Sequence, residues 1–238
     1  MLVLKTIQKA KLEKRKLLAI LLDPDKIDLK ILIGIVSKIE ALKADFIFVG
    51  GSFVKNGDTE ILVSQLKQLT QLQIVIFPGD VNQITDQADA LLFMSLLSGL
   101  NPEYLISQHV KAVSKLKDTR LEVIPTGYIL IDGGTVSSVQ KQSETIPISQ
   151  NDIQRITDTT VAGALMGKQL IYLEAGSGAK EAIKAEIIHK VTQNIQIPVI
   201  VGGGIRTQKQ LNLAYENGAD LVVIGTAFEE NNLLLTAD

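Results

Sequence analysis

Short, continuous runs of apolar residues recur along the chain, and segments with apolar residues at helical spacing separate most of them. The runs lie at residues 17–22, 45–49, 74–77, 90–94, 121–131, 170–173, 198–201 and 221–224. Because the runs are continuous rather than alternating, each is typical of a parallel strand that is buried on both faces. Helical patterns cover residues 29–42, 58–69, 102–116, 151–167, 179–193 and 208–217. The succession predicts an α/β fold, a right-handed, all-parallel (β/α)8 TIM barrel.

Three features lie outside this alternation. Residues 1–16 carry six basic residues against one glutamate, with apolar residues at roughly helical intervals. We interpret them as an N-terminal lead-in segment that closes the bottom of the barrel, in preference to a segment for a membrane surface. The stretch from the fifth strand to Ile148 is rich in Ser, Thr and Gln, which predicts a mobile loop. His109 is predicted to be an exposed helical residue rather than a ligand.

Size and composition narrow the classes of protein that the chain can belong to. Its 238 residues match one barrel of the usual size, so we predict a single domain over residues 1–238. A formal net charge of −2 gives no broad attraction for nucleic acid. The absence of cysteine excludes disulfides and thiol catalysis and fits a reducing compartment, so we predict a cytoplasmic protein. No apolar stretch is long enough to span a bilayer.

Three consecutive strand ends in the last third of the chain carry glycines. They are residues 172–178 (YLEAGSG), 201–206 (VGGGIR) and 225–226 (GT). In a barrel the carboxyl ends of the strands meet at one rim, where glycine-rich loops bind phosphate on backbone N–H groups. Glycine lets an anion approach those amides without obstruction by a side chain. We therefore predict a phosphate site here, although any one such loop alone is equally typical of a tight turn.

Glu174 lies inside the first of these glycine-bearing loops. A carboxylate held beside a phosphate ester can bind, and as a base deprotonate, a substrate hydroxyl group. The alternative is a structural ion pair with Lys180 or Arg206 that holds a loop in place.

Asp23 and Ser52 end two adjacent strands on the other side of the predicted rim. Oxygen ligands of this kind suit Mg²⁺, which fills its remaining positions with substrate phosphate and water. Lys26 is a candidate second cation at this corner. The alternative role for Asp23 is a helix cap before Pro24. The sequence contains no histidine cluster, which argues against a zinc or non-haem iron site.

Six segments together carry a resemblance to a known family. They are residues 22–26 (LDPDK), 49–52 (VGGS), 95–102 (SLLSGLNP), 172–178 (YLEAGSG), 201–205 (VGGGI) and 225–227 (GTA). The chain resembles the geranylgeranylglyceryl phosphate synthase family, which also contains the bacterial heptaprenylglyceryl phosphate synthases. The resemblance spans nearly the whole chain, and YLEAGSG is its most specific part.

The resemblance implies a magnesium-dependent prenyltransferase. Such an enzyme joins the C3 hydroxyl of sn-glycerol 1-phosphate to C1 of a polyprenyl diphosphate and releases diphosphate. We expect geranylgeranyl diphosphate as the donor. By the same resemblance Asp23 and Ser52 bind Mg²⁺, with Ser52 standing where many relatives have threonine. The implied substrate-binding residues are Tyr172, Leu173, Glu174, Ala175, Gly176, Ser177, Gly178, Gly203, Gly204, Gly225 and Thr226, with Glu174 also catalytic.

Several alternatives remain open from the residues. A heptaprenylglyceryl phosphate synthase would take a longer donor, and Leu96, Leu97 and Leu100 near the rim fit a prenyl site and a core equally well. A phosphosugar isomerase or aldolase would use the same phosphate site without a metal at Asp23. A non-catalytic phosphometabolite-binding protein is the third class. We also expect a homo-oligomer and a transient contact with a membrane surface for the lipid product.

Overall fold

The computed structural model describes residues 2–55 and 58–230, which form a closed barrel of eight parallel strands. The strands are β1 (Leu17–Leu22), β2 (Phe46–Val49), β3 (Gln73–Ile76), β4 (Ala90–Leu96), β5 (Glu122–Leu130), β6 (Leu170–Glu174), β7 (Val199–Gly202) and β8 (Leu221–Ile224). Each strand pairs with the next along the chain, and β8 pairs with β1. The predicted (β/α)8 barrel is confirmed. Met1 of the predicted lead-in segment and residues 231–238 of the predicted domain lie outside the described residues.

Helices surround the barrel and cover its lower end. They are α1 (Val3–Leu12), α2 (Leu32–Ala41), α3 (Thr59–Leu69), α4 (Gln108–Leu116), α5 (Ser138–Ser143), α6 (Ile153–Leu165), α7 (Ala185–Asn194), α8 (Gln208–Glu216) and α9 (Thr226–Glu229). None of the helices in the described ranges is long and apolar enough to cross a membrane.

Three helices begin later than their apolar patterns predict. A 3-10 turn, Leu29–Ile31, precedes α2, and a π-helical turn, Glu103–Ser107, precedes α4. The pattern at residues 179–193 becomes helical only in α7, because the N–H groups of Lys180 and Glu181 donate to the carbonyl of Gly133 instead of to a helix. The segment before α7 is therefore used to pack one rim loop on another.

The stretch predicted as a mobile loop contains a helix. The Ser137 hydroxyl accepts a hydrogen bond from the N–H of Gln140 and caps α5. Ile131 and Ile148 then form a parallel bridge that returns the chain to the rim. The prediction of a loop is thus wrong for α5, because a single capping serine outweighs the polar composition of the segment.

Side chains along each strand alternate between two apolar clusters, one inside the barrel and one between the barrel and the helices. In β1, Leu17 and Ala19 belong to the inner cluster, whereas Leu18, Ile20 and Leu22 belong to the outer one. Both faces of the strand are therefore covered, which is the physical reason why the apolar runs in the sequence do not alternate.

Helix α1 closes the amino-terminal end of the barrel. Val3, Ile7 and Ala10 are fully buried and join the inner cluster. The backbone N–H groups of Val3 and Leu4 donate to the carboxylate of Glu122, at the start of β5. The lead-in segment thus lies at the opposite end of the barrel from the carboxyl rim.

The crossover from β3 to β4 has no α-helix. In the fully described stretch between these strands the chain forms only the 3-10 turn Val81–Gln83. The sequence likewise has no helical pattern between these two strands, so this part of the barrel lacks one of its usual covering helices. An apolar groove lies there, with Ile84, Phe93 and Ala112 in its walls.

We predict that Ile7→Ala lowers the free energy of unfolding by about 2–5 kcal/mol, the usual cost of truncating a fully buried aliphatic side chain. Leu12→Ala on the same helix is the matched control, because Leu12 is 85% exposed and its loss should cost no more than about 0.5 kcal/mol. Urea denaturation of both variants measures the difference. Equal effects would show that α1 does not pack into the barrel end.

Candidate active site

Strand β6 ends at the carboxyl rim and directs two polar side chains inward. Tyr172 and Glu174 are two residues apart and therefore point to the same side of the strand. Tyr172 is fully buried and Glu174 is only 7% exposed, so both lie inside the barrel mouth rather than on its surface.

The Glu174 carboxylate is held by two hydrogen-bond donors. Its Oε1 atom accepts the N–H of Gly176 at 2.7 Å, and the Tyr172 hydroxyl forms a second hydrogen bond. Burial raises the pKa of Glu174 to about 7, and the two hydrogen bonds offset part of that shift. Among the described residues no ion pair involves Glu174. The alternative of a structural pair with Lys180 or Arg206 is therefore wrong.

The first two glycine-bearing loops meet at this carboxylate, and the third is joined to the first. Gly203 has φ +83°, and a Cβ atom there would lie 2.4 Å from Oε1 of Glu174 and 2.8 Å from the nitrogen of Gly176. Both the backbone conformation and the close approach therefore require glycine. The hydroxyl groups of Ser177 and Thr226 lie 3.0 Å apart and join the first loop to the third.

Most of the predicted site residues share one cavity at the rim. Its walls include Asp23, Ser52, Tyr172, Glu174, Gly176, Ser177, Gly178, Gly203, Gly204, Gly225 and Thr226. Leu173 and Ala175 do not line it: both are buried among the apolar side chains between the barrel and the helices. Their alternation with Tyr172 and Glu174 along one extended segment accounts for this, because successive side chains point to opposite faces.

Asp23 lines the same cavity at the end of β1, next to the loop after β8, and is held by its neighbours. Oδ1 accepts the N–H of Asp25 at 3.1 Å, and Oδ2 lies 3.6 Å from Nζ of Lys26. A Cβ on Gly51 would be 3.2 Å from the Asp23 carboxylate, so the loop after β2 packs directly against it and brings Ser52 into the same corner. Glu229 accepts the N–H of Asp23 and, with its other oxygen, the ammonium of Lys26, both at 2.9 Å.

Lys26 keeps its positive charge at this corner. Burial opposes that charge, but the hydrogen bond to Glu229 and the charges of Glu229 and Asp23 outweigh it and raise the pKa of Lys26. The corner thus contains two carboxylates that line the cavity, those of Asp23 and Glu229, together with one hydroxyl group and one cation.

The donor set at this corner fits Mg²⁺ that shares its coordination with a substrate. In the described ranges no three Asp, Glu, His or Cys side chains cluster closely enough to hold a metal by themselves. Asp23 and Ser52 offer two hard oxygen ligands, and Mg²⁺ commonly takes one or two carboxylates together with phosphate oxygens and water. These residues therefore suit a metal that arrives with a phosphorylated ligand.

The apolar groove over β3 and β4 adjoins the cavity. The two share wall residues Gly51, Ser52, Phe77, Tyr128 and Val139. The groove therefore opens at the same corner that carries Asp23, and a long apolar chain in it would place its polar end beside Ser52.

His109 lines this groove, so its prediction as an exposed residue is wrong. Its ring packs edge-on against Phe93 with centroids 4.5 Å apart, and Nε2 lies 3.1 Å from Oγ of Ser95. Burial, together with the charge of Lys168, lowers the pKa of His109. The π-helical turn Glu103–Ser107 packs on β4, so the first turn of α4 places His109 against that strand.

The three rim leucines differ in position. Leu96 is buried and lines the groove, Leu97 is half-buried against the outer cluster, and Leu100 is 93% exposed. Only Leu96 therefore contributes to a binding surface for an apolar chain.

Sequence reasoning missed Glu229 and Tyr128. Glu229 follows the third glycine loop by three residues and has no pattern of its own that connects it with Asp23. Tyr128 packs against Tyr172 with ring centroids 5.4 Å apart; its inward position on a long strand was the available signal.

This geometry defines the class of the protein: it is a (β/α)8 barrel with a candidate active site at the carboxyl rim. The chain belongs to the PcrB family, whose model matches residues 10–237.

Two sequence relatives, both named geranylgeranylglyceryl phosphate synthase, cover almost the whole chain. The protein from Zunongwangia profunda is 51% identical over 95% of this chain and 97% of its own length. That from Flavobacterium johnsoniae is 52% identical over 95% of this chain and 93% of its own.

A solved structure also has a similar fold. It is (S)-3-O-geranylgeranylglyceryl phosphate synthase from Thermoplasma acidophilum in complex with its substrate sn-glycerol-1-phosphate. Its TM-score to this chain is 0.89 at 33% identity, and the match covers 96% of this chain and 92% of that one.

We predict that Gly203→Ala abolishes phosphate binding, because the new Cβ would displace the Glu174 carboxylate and the amide of Gly176. Gly167→Ala is the matched control: its φ is +84°, and no atom lies within 4 Å of the added Cβ. Both variants should lose about 1–2 kcal/mol of stability from the left-handed backbone. Calorimetric titration with inorganic phosphate should detect a loss of affinity only in Gly203→Ala; equal affinities would place the anion elsewhere.

Proposed function

We propose that the protein forms an ether bond between the C3 hydroxyl of sn-glycerol 1-phosphate and C1 of a polyprenyl diphosphate. One observation carries this proposal: a glycine-walled cavity with a buried carboxylate shares a wall with an apolar groove. A phosphosugar isomerase or aldolase has use for the cavity but not for the groove. The names of the sequence relatives and of the solved structure support the same reaction.

In this proposal the glycine loops hold the phosphate of the acceptor and Glu174 receives its C3 hydroxyl group. The hydroxyl oxygen bonds to C1 of the prenyl chain, the bond from C1 to the diphosphate oxygen breaks, and the hydroxyl proton passes to Glu174. A pKa of about 7 suits this role, because the group is then partly ionised near neutral pH and can still retain the proton.

In the same proposal the diphosphate of the donor lies at the corner of Asp23 and Ser52, where the groove meets the cavity. Mg²⁺ bound to Asp23 and Ser52 would supply positive charge to the leaving diphosphate. Lys26 supplies a second positive charge there, and Glu229 orients its ammonium group. Aromatic rings of Phe77, Tyr128 and Tyr172 form a closely packed floor, with centroids 5.3–6.1 Å apart, that excludes water from the reacting carbon.

We propose geranylgeranyl as the transferred prenyl group, because the relatives are named for it. The heptaprenyl donor is the longer alternative.

We further propose that the protein is cytoplasmic and that it meets a membrane surface with the carboxyl rim. Leu100 and Ile146 are 93% and 82% exposed, on neighbouring rim loops joined by a hydrogen bond from Asn101 to Ser143. Helix α1 lies at the other end of the barrel, away from this rim. A homo-oligomer would cover the exposed Val110 and Val113 on α4.

A transfer assay tests the proposed function. Purified protein is incubated with labelled sn-glycerol 1-phosphate and prenyl diphosphates of increasing length, with and without Mg²⁺, and ether products are separated by chromatography. sn-Glycerol 3-phosphate serves as the matched acceptor. We expect Mg²⁺-dependent product with the 1-phosphate and the geranylgeranyl donor. Binding of the acceptor without transfer from any donor would favour a non-catalytic phosphometabolite-binding protein instead.

We predict that Glu174→Gln lowers the single-turnover rate by about 10²–10⁴-fold, the range for loss of a general base. In the wild type, kcat/KM should rise with pH through about 7 as Glu174 ionises, and this acidic limb should vanish in the variant. A normal rate with an unchanged pH profile would remove Glu174 from the reaction.

The same substitution should not destabilise the fold. Because the folded-state pKa of Glu174 is raised from 4.5 to about 7, the neutral carboxyl group stabilises the fold below pH 4.5, and that stability is lost as pH rises through 7. Glutamine cannot ionise and so avoids the cost of a buried charge. The free energy of unfolding at pH 8 should therefore be up to about 3 kcal/mol higher in the variant than in the wild type. Marked destabilisation at pH 8 would instead indicate a structural carboxylate.

We predict that Asp23→Asn removes most turnover and leaves acceptor binding within about twofold, since Asp23 serves the diphosphate side of the cavity. Calorimetry with sn-glycerol 1-phosphate measures the acceptor, and titration of Mg²⁺ in the presence of inorganic diphosphate measures the metal. Equal loss of acceptor affinity would contradict separate roles for the two parts of the site.

A further inference from the structure

Arg206 joins two of the three glycine-bearing loops. Its Nη2 donates to the carbonyl of Ala179, in the loop of residues 175–184 after β6, at 2.8 Å. Its Nη1 donates to the carbonyl of Gly204, in the loop of residues 203–207 after β7, at 3.2 Å. The planar guanidinium group can span two carbonyls in this way because its N–H donors have a fixed fork geometry.

The backbone of Arg206 is itself held in place. The side-chain oxygen of Gln210 accepts the N–H groups of both Arg206 and Thr207, at 2.9 and 3.1 Å. The Thr207 hydroxyl in turn caps α8, which completes a capping box. The guanidinium group is therefore anchored to the start of a helix, and the two loops are anchored to it.

The two loops are in close contact, so small shifts between them matter. Gly204 has φ +74°, and a Cβ there would lie 2.8 Å from the nitrogen of Ala182. A Cβ on Gly203 would likewise lie 2.4 Å from Oε1 of Glu174 and 2.8 Å from the nitrogen of Gly176. Any displacement of the β7 loop would therefore move amide groups of the cavity and the carboxylate together.

Arg206 also lines the cavity, as Lys26 does, so its positive charge can act on an anion bound there. Its hydrogen-bond partners are neutral carbonyls, and within the described ranges no carboxylate lies at ion-pair distance from it. Lys26, by contrast, is paired with Glu229 at 2.9 Å. Arg206 thus adds a positive potential that an anion in the cavity experiences.

We propose that Arg206 is a positioning residue for the acceptor: its guanidinium fork fixes the spacing of the β6 and β7 loops, and its charge favours a phosphate between them. The identity of the acceptor in this proposal rests on the proposed function. The effect of Arg206 on phosphate binding does not depend on it. Arg206 acts through the loops and takes no part in breaking or forming bonds.

Three variants separate the fork from the charge. Arg206→Lys keeps the charge and loses the fork, Arg206→Gln loses both, and Lys209→Gln removes one exposed charge three residues further on without touching either loop. Each is titrated calorimetrically with sn-glycerol 1-phosphate and with inorganic phosphate. Melting temperatures and separate KM values for acceptor and donor are measured in parallel.

We expect affinity for both phosphate ligands to fall about tenfold in Arg206→Lys and about 100-fold in Arg206→Gln, as for hydrogen bonds made by a charged group. Lys209→Gln should change it less than about twofold. The acceptor KM should rise in the same order, with the donor KM unchanged. If Arg206→Gln does not fold, the ranking of Arg206→Lys against Lys209→Gln decides.

Three results would each contradict one part of this proposal or of the proposed function. Wild-type affinity in Arg206→Lys would refute the fork, and a loss shared equally by acceptor and donor, in step with the melting temperature, would indicate a purely structural role. The expected ranking with inorganic phosphate, but no binding of sn-glycerol 1-phosphate by the wild type, would support the positioning role and refute the proposed function.

Discussion

The buried carboxylate of Glu174 is the constraint on which the architecture of the rim depends. A carboxyl group that is 7% exposed ionises only at a cost, and here two hydrogen bonds offset part of that cost. The donors are the amide of Gly176 and the hydroxyl of Tyr172, and both must lie on the inner side of the β6 strand end. Burial also raises the pKa of Tyr172, so its hydroxyl stays protonated and can donate.

The glycines around this carboxylate follow from the same constraint. Gly202 shows it most directly, because a Cβ there would lie 2.4 Å from the Tyr172 hydroxyl and 2.7 Å from Oε2 of Glu174. A side chain at that position would separate the two groups and leave the buried carboxylate with one donor fewer. The glycine-walled cavity and the basicity of Glu174 are therefore two results of one packing arrangement.

The second part of the site is the apolar groove. In the described stretch between β3 and β4 there is no α-helix, the π-helical turn before α4 packs on β4, and the groove reaches Ser52. The groove and the cavity meet at the corner of Asp23, so an apolar donor and a phosphorylated acceptor can approach one another from different sides. Neither feature alone distinguishes a prenyl transfer from other reactions on this fold.

Much of this arrangement could be predicted from the sequence, and the exceptions have physical reasons. Continuous apolar runs predicted all eight strands, and strand ends of a closed barrel must meet, so Glu174 and Gly203 could be placed together from spacing alone. His109 could not, because its burial depends on the π-helical turn that packs on β4. Glu229 bonds to Asp23, and one arm of the Arg206 fork bonds to Ala179; both partners are distant in the sequence, and no local periodicity encodes such contacts.

A direct titration of Glu174 tests the central claim. Infrared difference spectra of the wild type minus Glu174→Gln, recorded across pH without ligand, isolate the carbonyl stretch of this one carboxyl group. The account predicts a single transition with its midpoint at about 7. A midpoint near the ordinary value of 4.5 would show that the carboxylate is solvated and would contradict its role as a buried base.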